Sequence, residues 1–395
     1  MKSRLLFFPF MVIFLFACDN YDDISTVQSE SFIKHYALNQ VNEAVGICPL
    51  SDGGYALLGN TETITRGTDI CLILTDKYGN SVQETKLYGS TGNDHGHCIK
   101  QAPDGGFIIL GSKQKETGND KDVFLIRTDR LGDTVWTRTY PYNNEDDEGY
   151  WFDTNDNGDI MMVGYCTKST GRLPWQYLVD ANGLQIDSYI PITTGGGDEA
   201  RYVQRINDGW LITGIISPSH EYPVWMITND YRFMLCYVPD SGTHHISENP
   251  ASIVILNDNT AFVCGTVNTG ADGSDVFLYK IKGEYNNEGN LEFNHEWSKV
   301  YNNAGDDKGT CILTDNNTIH VLSTRSSGEK TSTISIITTN MQGENPQYNS
   351  FGGSSRMESR TFEFTEDGGF IISGCNRRDD NSSMIMIKTK TEGVL

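Results

Sequence analysis

The feature that most constrains this chain is a repeat of about 52 residues that runs through almost its whole length. The repeat is plainest at residues 52–59, 104–111 and 367–374, where Asp-Gly-Gly precedes an aromatic residue, a short apolar run and Gly. Weaker copies end at Gly164, Gly214, Gly265 and Ser323. Because a fixed period marks a repeat architecture, one structural unit is expected to recur seven times between residues 31 and 395.

Each copy has the pattern of four short strands. In the second copy, apolar and β-branched residues cluster at residues 95–99, 107–111, 122–129 and 134–140, separated by short turns rich in Asp and Gly. Such turns are typical of hairpins, because Gly readily adopts positive φ. Four antiparallel strands per copy, seven times over, predict an all-β chain folded as a seven-bladed β-propeller.

The two ends of the chain complement each other. The last copy stops after its third strand, near Lys388, so its outer strand is missing. Residues 32–36 near the N-terminus have the outer-strand pattern seen at residues 136–140 and 297–301. We therefore predict that the N-terminal strand pairs with the last strand and closes the last blade, which removes an exposed sheet edge.

The repeat resembles propeller repeats that are common in secreted and outer-membrane proteins of Bacteroidota. The resemblance rests on Gly-Gly-Phe-Ile-Ile at residues 105–109, Asp-Val-Phe-Leu-Ile at residues 122–126 and the Trp-to-Tyr strand at residues 136–140. It covers about 365 residues and implies a fold and an exported protein. It brings no assigned reaction, because a fold alone does not specify function.

The N-terminus has the pattern of an export signal. Two basic residues, Lys2 and Arg4, precede an apolar run that ends at Phe16, and Leu-Phe-Ala-Cys follows up to Cys18. This resembles a bacterial lipoprotein signal, which implies a signal peptide at residues 1–17, lipidation of Cys18 and membrane attachment through the lipid only. An ordinary secretory signal is the alternative. The acidic residues 18–30 resemble a surface-export tether, which places the predicted propeller at 31–395, on the outer membrane and exposed to the exterior.

The charge balance excludes one class of partner. The chain has 52 acidic and 30 basic residues, for a formal net charge of −22. Nucleic-acid binding depends on clustered Lys and Arg side chains that neutralise phosphates. We therefore expect no nucleic-acid partner.

The repeat itself separates structural residues from candidate functional ones. A residue type found in most copies serves blade geometry, as do most of the tryptophans, whereas a residue peculiar to one copy is a candidate for recognition. Trp151, with Tyr150 beside it, stands where Cys98 and Cys311 stand in other copies. Further polar and aromatic candidates fall in or near the long connections of copies three to five. The predicted ligand-binding residues are Tyr150, Trp151, Arg172, Arg201, Tyr202, Tyr222, His244 and His245.

No metal or cofactor is predicted. The cysteines include no Cys-x-x-Cys pair. Cys48, Cys98 and Cys311 are assigned to one shared small-residue position of the repeat. Neither the His95–His97 pair nor the His244–His245 pair has a convincing third metal ligand. Acidic residues recur where the first strand of most copies begins, as at Glu43, Asp94, Asp147 and Glu358. They either cap their own turns or form a cation-binding ring around the channel, and their recurrence favours capping.

The sequence is compatible with three functions. The favoured one is a non-catalytic binding or assembly module at the cell surface, with a glycan, a peptide or an outer-membrane protein as partner on the loop-rich face. The alternative is a propeller hydrolase or lyase that degrades polysaccharide. The third is a structural subunit of an outer-membrane complex.

Overall fold

The computed structural model describes residues 30–142, 145–169, 171–189, 197–215, 224–229, 233–237, 252–256, 259–268, 273–289, 291–301, 305–315, 317–328 and 330–395. The predicted signal peptide, Cys18 and nearly all of the predicted tether lie outside the described residues. Tyr222, His244 and His245 also lie outside them. No helix in the described ranges is long and apolar enough to cross a membrane.

The described residues form strands and one short helix. In chain order the strands are β1 (Phe32–Tyr36), β2 (Asn42–Pro49), β3 (Tyr55–Thr63), β4 (Gly67–Thr75), β5 (Lys86–Tyr88), β6 (His95–Gln101), β7 (Phe107–Gln114), β8 (Lys121–Thr128), β9 (Thr134–Tyr140), β10 (Asp147–Thr154), β11 (Ile160–Lys168), β12 (Gly171–Val179), β13 (Gln185–Tyr189), β14 (Glu199–Ile206), β15 (Gly209–Ile215), β16 (Val224–Thr228), β17 (Phe233–Tyr237), β18 (Ser252–Ile255), β19 (Thr260–Asn268), β20 (Ser274–Tyr285), β21 (Leu291–Tyr301), β22 (Asp307–Thr314), β23 (Thr318–Gly328), β24 (Thr331–Asn340), β25 (Gln347–Gly352), β26 (Arg356–Phe364), β27 (Phe370–Arg378) and β28 (Asn381–Lys388). A 3₁₀ turn at Thr391–Gly393 follows the last strand.

The strands are grouped in fours. Five separate sheets have the orders β2-β3-β4-β5, β6-β7-β8-β9, β10-β11-β12-β13, β14-β15-β16-β17 and β18-β19-β20-β21. A larger sheet contains two further four-stranded groups, β22-β23-β24-β25 and β26-β27-β28-β1, joined by one parallel bridge between Ser332 and Arg356. The expectation of an all-β chain built from four-stranded antiparallel groups is confirmed.

The N-terminal strand completes the last group. β1 pairs antiparallel with β28, with Phe32 opposite Lys388 and Tyr36 opposite Met384. The first strands of successive groups contact one another from β2 through β6, β10, β14, β18 and β22 to β26, and β26 contacts β2. The N-terminal strand therefore lies where the closure argument predicted it.

Burial follows the position of a strand in its group. Most side chains of the second strand β7, such as Phe107 and Ile109, are buried on both faces, whereas the outer strand β9 is largely exposed. Each of the apolar clusters draws on two neighbouring groups: Leu110 packs with Trp175, Ile212 with Val163, and Leu57 with Ile371. The cores therefore lie between sheets, and the last group shares one with the first.

A recurring hydrogen bond also joins neighbouring groups. A Tyr hydroxyl at the end of an outer strand donates to the carbonyl of the Gly in the turn before the outer strand of the next group. The donor–acceptor pairs are Tyr36–Gly79 at 2.7 Å, Tyr88–Gly132 at 2.7 Å, Tyr140–Gly183 at 2.9 Å and Tyr301–Gly343 at 3.1 Å. We call this contact the Tyr–Gly clasp. At Gly183, where φ is +75°, a Cβ would lie 2.9 Å from the Trp136 ring, so both backbone and packing require glycine.

Candidate functional site

A cavity of about 360 Å³ lies among the first strands of the groups, near the ends at which they begin. Its walls come from β2, β6, β10, β14, β18, β22 and β26, with one residue from β3. The lining residues are Glu43, Val45, Asn60, His95, His97, Tyr150, Trp151, Arg201, Tyr202, Ser252, Thr310, Cys311, Arg360 and Thr361. We call this the central cavity.

Bulges in the described parts of six first strands, β2, β6, β10, β14, β22 and β26, supply side chains to the central cavity. The pairing of β10 with β11 passes from Gly149 directly to Trp151, so Tyr150 is an extra residue. The same shift leaves His97 extra in β6 and Arg201 extra in β14. The corresponding residues of β2 and β22 are Val45 and Thr310, and in β26 both Arg360 and Thr361 are extra. Bulges redirect side chains, and here all seven of these residues line the cavity.

The bulges also correct one alignment made from sequence. Cys98 and Cys311 face Leu110 and Leu322 at the same register position. Trp151 occupies that position opposite Val163, as predicted. In β2, however, Gly46 occupies it, and Cys48 lies two residues further along. The assignment of Cys48 to the shared position was wrong, because matching the glycines ignored where the bulge falls in β2.

Trp151 and Tyr202 form a stacked pair in the wall of the central cavity. Their ring centroids are 4.4 Å apart and their planes differ by 22°. Trp151 is half-buried and packs against the apolar clusters on both sides of its sheet. It therefore serves both the core and the cavity, whereas Trp175, Trp210 and Trp225 are buried core residues, as the repeat predicted.

Tyr150 lies between a histidine and an arginine. The guanidinium of Arg201 lies 4.5 Å from the centroid of the Tyr150 ring, and the His97 ring meets Tyr150 edge-on at 5.4 Å. Burial raises the pKa of Tyr150 above its usual range, so the hydroxyl stays protonated at neutral pH. Burial also lowers the pKa of His97 to about 4, so this imidazole is neutral.

Arg172 lies behind the central cavity. Its guanidinium packs 4.1 Å from the centroid of the Tyr165 ring and donates to Glu199 Oε1 at 2.6 Å. Arg172 lies near the start of β12 and is not among the residues that line the cavity. Its predicted role in ligand binding stays a prediction.

The carboxylates near the cavity are already engaged. Asp94 accepts hydrogen bonds from the Ser90 and Gln114 backbone N–H groups, and Asp147 accepts from those of Tyr142 and Thr167. These two therefore cap turns, as their recurrence suggested.

The glutamates one position further along form ion pairs instead. Glu43 pairs with Arg377, Glu148 with Lys121 at 3.2 Å, and Glu199 with Arg201. Glu358 pairs with Arg356 at 3.0 Å and with Arg360 at 3.3 Å. In the part of the chain that the structure describes, no group of three His, Cys, Asp or Glu side chains is arranged to hold a metal ion.

Four nitrogen atoms around the central cavity make no hydrogen bond to any described residue, although all four are inaccessible to solvent. They are His95 Nδ1, His97 Nε2, Trp151 Nε1 and Arg201 Nε. Buried polar groups without partners are uncommon, and each costs about 1–3 kcal/mol. One of them, His97 Nε2, lies 3.9 Å from Glu148 Oε2, beyond hydrogen-bond distance. Four such nitrogens around one cavity make it the candidate site for a hydrogen-bonding ligand.

A second layer of charged residues follows the cavity lining along the first strands. Lys100 Nζ lies 2.6 Å from Asp153 Oδ1 and 5.9 Å from the centroid of the Trp151 ring. Glu363 lies two residues beyond Thr361 in β26. Burial raises the pKa of its carboxyl group to about 7, although the positive charge of Lys100 opposes this shift. We call Lys100, Asp153 and Glu363 the inner charge layer.

The structure thus brings together four of the predicted ligand residues, Tyr150, Trp151, Arg201 and Tyr202. Sequence reasoning missed His97 and Arg360 as members of the same set, although each is peculiar to its own copy. It also expected loops to form the site, whereas strand residues line the cavity. The role of these residues in binding stays a prediction.

No protein-family model matches the chain, and no curated protein matches its sequence. Solved structures do match. YCF48 from Cyanidioschyzon merolae superposes with a TM-score of 0.52 at 12% identity, over 90% of this chain and 98% of that one. An ulvan lyase of polysaccharide lyase family PL25 gives 0.58 at 10% identity, over 91% and 97%. The WD40 β-propeller domain of Doa1 gives 0.50 at 12% identity, over 90% and 96%. The chain has a β-propeller fold. At such low identities the likeness concerns the fold alone, so the function of this propeller must be argued from its own residues.

Proposed function

We propose that this propeller is a lipid-anchored binding protein of the outer-membrane surface that holds a glycan in its central cavity and has no catalytic role. The observation that carries the proposal is the group of four nitrogens that make no hydrogen bond to a described residue, around a cavity that the Trp151–Tyr202 stack also lines. Sugars present many acceptor oxygens on a ring with apolar faces. Aromatic side chains and N–H donors together match both properties.

A glycan suits this cavity better than a protein partner. Protein interfaces are extended surfaces of roughly 800 Å² per partner. The cavity of about 360 Å³ is instead concave and lined by strand residues, as small-ligand sites are. Assembly with an outer-membrane protein would use another surface, so the two activities are compatible.

The number of blades belongs to the same proposal. The four-stranded groups, the contacts of each first strand with the next and the pairing of β1 with β28 support a closed ring of seven blades. Lipidation at Cys18 and surface export along residues 18–30 rest on the sequence pattern alone. A surface position would present the cavity to extracellular polysaccharide.

A second candidate function, a polysaccharide lyase or hydrolase, is favoured by one contact. Neutral His97 meets protonated Tyr150 edge-on, and both line the cavity. Such a pair supplies a base and an acid for cleavage of a glycosidic bond. A structurally similar propeller is an ulvan lyase, which adds support at the level of fold. Under this alternative, shortened polysaccharide chains would accumulate with wild-type protein and not with His97→Gln.

The test of the binding proposal is Trp151→Ala, assayed on an array of immobilised plant, algal and animal glycans. The variant should weaken binding of any captured glycan about tenfold, because it removes the stacking surface and the indole donor. Trp136→Ala is the matched control, since this half-buried Trp lies on an outer strand away from the cavity.

Thermal unfolding of both variants separates packing from recognition. Trp151→Ala should remain folded, with a lower melting temperature because Trp151 also contacts two apolar clusters. If Trp151→Ala lost roughly 3–5 kcal/mol of stability while glycan binding was unchanged, Trp151 would be a core residue and the site assignment would be wrong.

A further inference from the structure

We infer that the group bound at the centre of this cavity is a carboxylate, so that the ligand is an acidic glycan, one built with uronic acids. The inference rests on the proposed function and narrows it to one class of sugar. It is carried by the charges that face the cavity and by the way the arginines are held.

The charged side chains that line the cavity are mostly basic, within an acidic protein. Arg201 and Arg360 line it, and Glu43 is the only acidic residue among the lining residues that the structure describes. All three are ion-paired, Glu43 with Arg377 and the two arginines with Glu199 and Glu358. The chain as a whole carries a formal charge of −22. Two arginines at the wall, with their glutamates outside the lining, suit a negatively charged ligand.

Both arginines are supported from outside the cavity. Arg201 pairs with Glu199, whose side chain is only 4% exposed, and Arg360 pairs with Glu358 at 3.3 Å. Neither glutamate is among the lining residues. Arg201 also lies against the Tyr150 ring, so its guanidinium is fixed in position. A guanidinium has five N–H donors, and a glutamate behind it leaves the others to bind a second acceptor.

The donor-only character of two of these atoms fits a carboxylate better than a hydroxyl. Arg201 Nε is buried and makes no hydrogen bond to a described residue, and an arginine Nε–H can only donate. A sugar hydroxyl both donates and accepts, whereas a carboxylate only accepts and takes two parallel N–H groups of a guanidinium. Trp151 Nε1 is a further atom that can only donate.

The two histidines make the inference testable by pH. Burial lowers the pKa of both His95 and His97, so both are neutral when the cavity is free of ligand. The charged groups that face them are Glu43, Asp94, Lys121, Glu148 and Arg201. A bound carboxylate would raise both histidine pKa values, because an opposite charge favours the protonated form. Binding of an acidic glycan should then take up protons and tighten as the pH falls from 7 to 5.

The experiment compares acidic oligosaccharides with their uncharged methyl esters by titration calorimetry on the mature protein. The probes are oligogalacturonate, oligoalginate and hyaluronan fragments, each as the free acid and as the carboxyl methyl ester, with cellotetraose as a neutral sugar. We expect at least one acid to bind at least tenfold more tightly than its ester. Its affinity, and not that of the ester, should rise between pH 7 and pH 5.

Variants assign the preference to the cavity. Arg201→Gln with Glu199→Gln removes the ion pair as a unit, so that neither partner is left as an unpaired charge. Arg172, which also pairs with Glu199, is 47% exposed and stays in contact with water. The double variant should bring the affinities of acid and ester within about twofold of each other. Arg325→Gln, an arginine that pairs with Asp307 and does not line the cavity, is the control and should leave both affinities unchanged.

The outcomes distinguish the inference from the function on which it rests. If esters or cellotetraose bind as tightly as the acids, and Trp151→Ala weakens them, the propeller binds glycans but the carboxylate inference is wrong. If an acid is preferred and the double variant, folded by circular dichroism, keeps that preference, the inference is wrong as well. If no probe binds the wild-type protein, neither the glycan-binding proposal nor the inference stands.

Discussion

Glu363 places an ionisable carboxyl group in a half-buried position beside the cavity, and replacing it with Gln should stabilise the protein at alkaline pH. Its pKa rises from 4.5 to about 7, with burial as the cause and Lys100 as the opposing charge. The thiols of Cys48, Cys98 and Cys311 also face this carboxyl group. Glutamine keeps the size of the side chain and removes the charge.

The magnitude follows from the displaced pKa. Because the folded state holds a proton that the unfolded chain loses near pH 4.5, the contribution of Glu363 to stability is full below that pH. It declines as the pH rises through about 7. Each unit of pKa corresponds to about 1.4 kcal/mol, so the loss approaches about 3 kcal/mol above pH 7. Glu363→Gln should exceed wild type by only about 1 kcal/mol at pH 5 and by about 3 kcal/mol at pH 8.

Urea unfolding at a series of pH values between 5 and 8 measures this difference. The control is Glu366→Gln, because Glu366 is an exposed glutamate close by in the hairpin that follows β26. Its substitution should change stability by less than about 0.5 kcal/mol at every pH. A Glu363→Gln variant whose stability relative to wild type did not change with pH would refute the assignment of a half-buried, partly protonated carboxyl group.

Three further predictions concern closure, the clasp and the anchor. Deleting Ser31–Tyr36 removes the partner of β28 and should abolish soluble folded protein, which expression and melting curves will show; a truncated protein that melts like the parent would contradict closure. Tyr140→Phe removes the hydrogen bond to the Gly183 carbonyl and should cost about 1–2 kcal/mol in chemical unfolding, whereas no loss would mean that the clasp is not stabilising. Cys18→Ser should move the protein from the membrane fraction to the soluble fraction, as read by immunoblot; a variant that stays with the membrane would show that the signal has been misread.

The repeat made the architecture accessible from sequence, because four short strands and their turns recur with little variation. It also located the pairing of β1 with β28 and the capping role of Asp94 and Asp147, since both depend on local pattern. The cavity was harder to predict from the sequence. Whether His97 or Arg360 points into the channel depends on a bulge, and a bulge inserts a residue without a marker in the sequence.

The arrangement of charges near the cavity was the hardest feature to predict from the sequence. Glu363, Lys100 and Asp153 belong to different copies, separated by tens to hundreds of residues, and only the fold brings them to one level of the channel. Their effect on one another is a property of burial, which a sequence pattern of alternating residues does not report. Arg172 was singled out because it is peculiar to one copy, yet its guanidinium donates to Glu199 and does not line the cavity.

The Tyr–Gly clasp has a direction, because in each of its four copies the tyrosine comes from one group and the glycine turn from the next. Tyr36, encoded near the N-terminus, supplies the tyrosine of the group completed by β28 and reaches Gly79 in the group that follows it in the chain. Two neighbouring groups carry both halves of this connector, Gly79 with Tyr88 and Gly132 with Tyr140. A duplicated copy of either group would therefore bring its own tyrosine and its own glycine turn, and it would meet its neighbours through a contact that the ring already uses.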